Sequence, residues 1–106
     1  MQVNVAGEET KHGLAPNEVE DFVGQAARLP GLEVCGLMTM APWCDDPEEV
    51  RPVFRRTREL ALRIRDRVPG VRMGYLSMGM TNDFEVAVEE GANILRVGTA
   101  IFGKRY

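Results

Sequence analysis

Cysteine is scarce in this sequence: Cys35 and Cys44 are the two. One lies in an apolar run and the other in a loop. Such a pair makes no disulfide framework and reads as two reduced thiols of a cytoplasmic protein. A zinc site from Cys35, Cys44 and His12, the single histidine, has neither C-x-x-C nor H-x-x-x-H spacing behind it, so no metal ligand is expected. No apolar run approaches the roughly 18–20 residues needed to span a bilayer. The opening residues, MQVNVAGEETKHG, lack a positive segment followed by an apolar one, so no signal peptide is expected. An excess of positive charge is missing too. Thirteen basic residues stand against 16 acidic ones, a net charge of −3. That balance argues against nucleic acid or an anionic membrane as the main partner. Lysine is nearly absent from the basic set, with only Lys11 and Lys104. The 106 residues allow one domain, 1–106. They exclude a closed eight-stranded α/β barrel in a single chain, which takes about 200–250 residues.

What is present is ordinary for a globular chain, with 44% hydrophobic and 27% charged residues. Four short, apolar, β-rich runs recur: Gln2–Ala6, Leu32–Met40, Val71–Met78 and Ile94–Ile101. Three helical patterns separate them. The order βαβαβαβ predicts parallel strands joined by right-handed crossovers. The runs are apolar on both faces, as expected of strands covered by helices. The first helix is predicted from Pro16, a favourable first helical residue. Val19, Phe22, Val23, Ala26 and Ala27 form its apolar face, and Pro30-Gly31 ends it. The second carries a continuous stripe through Val50, Val53, Phe54, Thr57, Leu60, Ala61, Ile64 and Val68. Its start is open: Asp46-Pro47-Glu48-Glu49 resembles a cap, yet Pro52 removes a hydrogen bond from a helix already running. Seven arginines from Arg51 to Arg67 crowd this segment. They form either an anion-binding surface or, as we read them, a solvated face interleaved with Glu48, Glu49, Glu59 and Asp66. A short third helix follows Asn82, with Glu85 as capping-box partner, Phe84, Ala87 and Val88 facing inward, and Gly91 just past its end.

The segment Ser77-Met78-Gly79-Met80-Thr81-Asn82-Asp83 carries the most chemical information. It links a predicted strand to a predicted helix start. Gly79 lets the backbone come close to a ligand, and Ser77 and Thr81 offer hydroxyls. The first amides of the next helix point the same way, and the helix dipole favours an anion there. The following strand brings Arg96-Val97-Gly98-Thr99. Arg96 and Gly98 share one side of it by the two-residue period. Two strand–loop units, each ending in Gly plus Ser or Thr, meet the needs of a phosphate cup, which in α/β barrels recurs after the last two strands. The plainer reading keeps Gly79 as a turn, Ser, Thr and Asn as caps, and Gly98 as close packing. With both halves at the ends of adjacent strands, the phosphate reading comes first.

The same residues resemble the C-terminal half of the pyridoxal phosphate homeostasis family (YggS/PROSC type), a relative of the alanine racemase N-terminal barrel. The resemblance runs through Gln2-Val3-Asn4-Val5, Glu9-Thr10-Lys11-His12-Gly13, Cys35-Gly36-Leu37-Met38-Thr39-Met40, Leu76 to Phe84, and Val97 to Gly103, in family order. It implies half of a (β/α)8 barrel, strands five to eight, that binds pyridoxal 5′-phosphate (PLP). By resemblance the cofactor phosphate would be held by Ser77, Met78, Gly79, Met80 and Thr81 on one side and by Gly98 and Thr99 on the other. Arg96 would lie beside the cofactor, and Met38 would line the barrel mouth. Family members are thought to buffer or deliver PLP rather than to catalyse, so no catalytic residue is assigned.

One departure is large. The family lysine that forms the Schiff base lies on an early strand, and neither Lys11 nor Lys104 matches it. PLP binding by this chain is therefore expected to be non-covalent. Met1 matches a residue inside the family's fifth strand, so the expectation is a truncated or split chain. Two alternatives stay open. One is a racemase-like enzyme acting on amino acids through PLP, which needs a lysine and an opposed acid–base residue that the sequence does not clearly supply. The other is an interaction module, a half barrel pairing with itself or with an N-terminal half through its unpaired edges and apolar inner face. Trp43 is read as covering a barrel rim, His12 as a surface turn residue and Asp83 as helix-start electrostatics. The methionines Met38, Met40, Met73, Met78 and Met80 are read as core and rim filling.

Overall fold

A computed structural model describes residues 15–97. The predicted strand Gln2–Ala6, Lys11, His12, Gly98, Thr99 and Lys104 lie outside the described residues. Helix α1, Pro16–Ala26, starts where predicted. Ala15 is extended ahead of the proline, as the proline ring requires of its predecessor. Val19 and Val23 are fully buried, but Phe22 is 48% exposed. The buried stripe of α1 is therefore narrower than the periodicity suggests, because only the i, i+4 ridge of Val19 and Val23 is fully covered.

The uncertain start of the second helix resolves into two pieces. The Asp46 carboxylate accepts the Glu48 N–H at 3.0 Å and opens a 3-10 turn over Pro47–Val50. Helix α2 then runs from Arg51 to Arg67. Pro52 falls in its first turn, where the missing N–H would have had no partner inside the helix. Val50, Phe54, Thr57, Leu60, Ala61 and Ile64 are buried, with Val53 and Val68 packed partly against them.

Strands β1 (Gly36–Met38), β2 (Tyr75–Met80) and β3 (Ile94–Arg96) form a parallel sheet in the order β1-β2-β3. Parallel pairing bears out the predicted alternation. The strands are shorter than the apolar runs that announced them. Leu37, Leu76 and Met78 face the helices and join the core with Val19, Phe54 and Ile64. The opposite face differs from the expectation of a sheet covered on both sides. There Tyr75 is 55% exposed, Ile94 43% and Met80 42%. Between β2 and β3 the register runs Ser77↔Ile94 and then Met80↔Arg96, three steps against two. This one-residue bulge turns both Met78 and Gly79 toward the helices and returns Met80 to the open face.

Helix α3 covers six residues, Phe84–Glu89, and begins one residue later than the capping-box pattern predicts. Asp83 holds the N-cap position, and Asn82 does not cap. The Asn82 side chain donates instead to the Cys44 carbonyl at 2.6 Å. The shift rotates the buried face, so Val86 and Ala87 are buried while Val88 is 49% exposed. The end of α3 matches prediction. Gly91 adopts φ 104°, its N–H donates to the Val88 carbonyl, and the Ala92 N–H donates to the Ala87 carbonyl. Those two bonds are the Schellman pattern. Asn93 then ties β3 to β2. Its side chain donates to the Gly74 carbonyl at 2.7 Å and accepts the Leu76 N–H at 2.9 Å.

Candidate functional site

The C-terminal ends of the three strands gather the predicted site residues that are described. Met38 ends β1 and pairs in register with Ser77, and Met80 ends β2 opposite Arg96 at the end of β3. Ser77, Met80 and Arg96 therefore share the sheet face that the helices do not cover. The Arg96 guanidinium donates to the Met40 thioether at 3.5 Å, which brings the segment after β1 over the end of β3. A thioether is a weak acceptor, and among the described residues it is the acceptor found for this guanidinium.

The turn after β2 is closed by its own bonds. The Met80 N–H donates to Asp83 Oδ1 at 2.7 Å, and the Asp83 N–H donates to the Met80 carbonyl at 3.1 Å. Asp83 is buried, so this reciprocal pair fixes the turn from the inside. Gly79, at φ 107°, occupies a backbone region that favours glycine. A Cβ there would lie 2.8 Å from the Ala87 Cβ and 3.2 Å from the Phe84 Cα. What approaches the Gly79 side of the backbone so closely is α3. Met78 is 1% exposed and its side chain belongs to the core, so any contact it makes with a ligand is through its backbone.

Charge is divided across the turn. In the helix layer a groove of about 300 Å³ runs between the 3-10 turn and α3. It is lined by Thr81 and Asn82 together with Glu48, Asp83, Glu85 and Glu89. Its four carboxylates give it an acidic lining, although Glu48 and Glu89 are paired with Arg51. The sheet side of the same turn carries Arg96.

The arginines of α2 are not merely solvated. Arg51, Arg55 and Arg58 converge on Glu90, at 2.8, 3.4 and 3.1 Å. Arg51 also reaches Glu48 at 2.8 Å and Glu89 at 2.7 Å. Hydrogen bonds from Arg51 and then Arg55 hold the Glu90 carboxyl below the usual carboxylate range, and Arg51 does the same to Glu48. The convergence on Glu90 was missed by sequence reasoning, which pairs charges within one helix. Arg63 lies 3.7 Å from Glu20 of α1. Among the described residues no group of three or more His, Cys, Asp and Glu side chains is arranged to hold a metal. No helix among them is long and apolar enough to cross a membrane. Trp43 is 71% exposed.

Comparison with known proteins places this geometry. The family described as alanine racemase, N-terminal domain, matches residues 1–106. The pyridoxal phosphate homeostasis protein of Aquifex aeolicus is 49% identical over 105 residues, which cover 99% of this chain and 46% of that protein. The human protein of the same name is 39% identical over 113 residues, covering 99% of this chain and 39% of its own. The structure of PipY from Synechococcus elongatus with PLP bound superposes with a TM-score of 0.85 at 33% identity, over 97% of this chain and 47% of PipY. PipY without PLP gives a TM-score of 0.89 at 34% identity, over 97% and 48%. The chain spans less than half the length of each of these relatives.

Proposed function

The chain belongs to the alanine racemase N-terminal domain family, and on that premise we propose that it binds pyridoxal 5′-phosphate, non-covalently, in a PLP homeostasis role. The observation that carries the reading is the joining of two loops. The closed turn after β2 and Arg96 at the end of β3 meet at adjacent ends of parallel strands, on the side away from the carboxylate groove. The donor set suits a phosphate. Ser77 carries a hydroxyl on the open sheet face, and Arg96 carries a guanidinium fork that matches phosphate geometry; Thr81, at the turn between that face and the carboxylate groove it also lines, adds a second hydroxyl. Gly98 and Thr99, which continue from Arg96, supply the second half of the cup. Met80 contributes its side chain at the rim, since its amide already has an acceptor in Asp83.

In this reading the predicted strand 2–6 with β1, β2 and β3 corresponds to strands five to eight of the barrel. The residues 15–97 contain no lysine, so the described site offers the cofactor aldehyde no lysine amine. The phosphate is the handle by which these residues hold the cofactor, and the role is storage or delivery of PLP in the cytoplasm rather than catalysis.

Titration of the 106-residue chain with PLP, and separately with inorganic phosphate, tests this. Amide resonances of Gly79 and Thr99 are expected to shift with both ligands in a saturable way. Resonances that stay fixed to millimolar ligand would remove the phosphate cup.

A second reading is supported by the open sheet face. Tyr75, Ile94 and Met80 make that face apolar as well as exposed. Such a surface favours burial against another chain, either a second copy or a polypeptide supplying the remaining barrel strands. The two readings are compatible, because the covered face would be the barrel interior and the phosphate cup lies at its rim.

A further inference from the structure

We propose that the Arg51–Glu90 cluster positions the Ser77–Thr81 loop for anion binding, acting through α3. The inference rests on the phosphate reading and adds residues to it that touch no ligand.

Helix α3 is six residues long, about 9 Å from end to end. A helix that short is not stable alone and takes its position from whatever holds it. Its start is held by the Asp83–Met80 pair and by Asn82 on the Cys44 carbonyl. Its end is held by charge. The side chain of Glu90 is 6% exposed, and Arg51, Arg55 and Arg58 all reach its carboxylate. Arg58 also donates to the Glu90 backbone carbonyl at 3.5 Å. Arg51 spreads its donors over Glu48, Glu89 and Glu90. It thereby pins both carboxylates at the end of α3 to the 3-10 turn that precedes α2. Water cannot replace these partners cheaply, because the Glu90 carboxylate is shielded.

The inner side of α3 packs against the loop. A Cβ added at Gly79 would lie 2.8 Å from the Ala87 Cβ and 3.2 Å from the Phe84 Cα, so only the bare glycine backbone fits beneath α3. A movement of α3 that follows release of Glu90 is passed to Gly79 by contact and to Met80 through Asp83. Glu90 and Arg51 are thus positioning residues. The loop that faces the anion is braced from within the helix layer, across α3.

The test compares wild type, Glu90→Gln and the milder Arg55→Ala, using inorganic phosphate as the probe and the Met80 amide resonance as a local signature. That amide reports its bond to Asp83, at the far end of α3 from the substitution. A purely stabilising role lowers the melting temperature but leaves this resonance and the affinity of the folded protein unchanged. Positioning moves both: the Met80 resonance shifts, and phosphate binding weakens by about three- to tenfold in Glu90→Gln and by less in Arg55→Ala. An unmoved Met80 resonance in folded variants, or a moved resonance with unchanged phosphate affinity, overturns the proposal. Should wild type itself bind no phosphate, the parent reading fails and the inference falls with it. Wild-type binding with unaffected variants removes the brace alone. If Glu90→Gln does not fold, Arg55→Ala decides by the same two readouts.

Discussion

A methyl group at position 79 would lie 2.8 Å from the Ala87 Cβ, on a residue whose φ is 107°. Steric overlap and backbone strain therefore act together there. Gly79→Ala is expected to destabilise the fold by about 2–4 kcal/mol, read from urea unfolding. Gly74→Ala is the control, since a Cβ at 74 meets nothing within 4 Å, and a loss below about 1 kcal/mol is expected. Equal losses at the two sites would show that crowding against α3 is not the cause. The same residue shows how much of the site was legible. The sequence marks Gly79 as a place of close backbone approach, and the structure agrees. What approaches cannot be read locally, because Ala87 and Phe84 reach it through tertiary packing.

At the scale of elements, α2 and α3 stand at opposite ends of legibility. The α2 stripe is read correctly because eight apolar or small positions repeat at helical spacing, and burial follows that period. The start of α3 is misread because Asn82 and Glu85 satisfy a local capping pattern that a distant group then overrides. The Cys44 carbonyl takes the Asn82 amide, and Asp83 moves into the capping position. The arginine partners escape for a similar reason, since Glu90 lies 32 to 39 residues from the arginines that hold it. This pairing has a pH signature. The folded carboxyl of Glu90 titrates below its ordinary value, so the unfolded chain takes up its proton first as pH falls. The stabilisation is complete above the ordinary carboxylate value, about 4.3, and is lost as pH falls below it through the folded value. Melting temperatures of wild type and Glu90→Gln are expected to differ near neutrality and to converge as pH falls below the ordinary carboxylate value. A gap that stays constant across that range would show that the carboxylate charge contributes nothing.

Among the described residues the molecule is one-sided. Its core lies between the sheet and three helices, while the other sheet face presents Tyr75, Ile94 and Met80 to solvent. The alternation of strands and helices was legible in the sequence, whereas the open apolar face was anticipated only through the half-barrel resemblance. Apolar residues on both sides of a strand announce burial without saying which chain provides it. In sedimentation the chain is expected to associate at high concentration. Ile94→Asp or Tyr75→Lys is expected to weaken association by about tenfold or more, because burying such a side chain is worth about 1.5–3 kcal/mol. A monomer at millimolar concentration, or variants that associate as wild type does, would count against the covered-face reading.

The Asn93 clasp also sets which residues can stand at that position. One side-chain amide offers an acceptor to Leu76 and a donor to Gly74, the same pair of groups a peptide unit offers. The side chain thus imitates a stretch of main chain and adds a rung ahead of the strand ladder. Aspartate would copy the acceptor and lose the donor. Glutamine would carry both groups one methylene too far. The position is therefore a piece of surrogate backbone, and its chemistry is as constrained as that of the peptide it imitates.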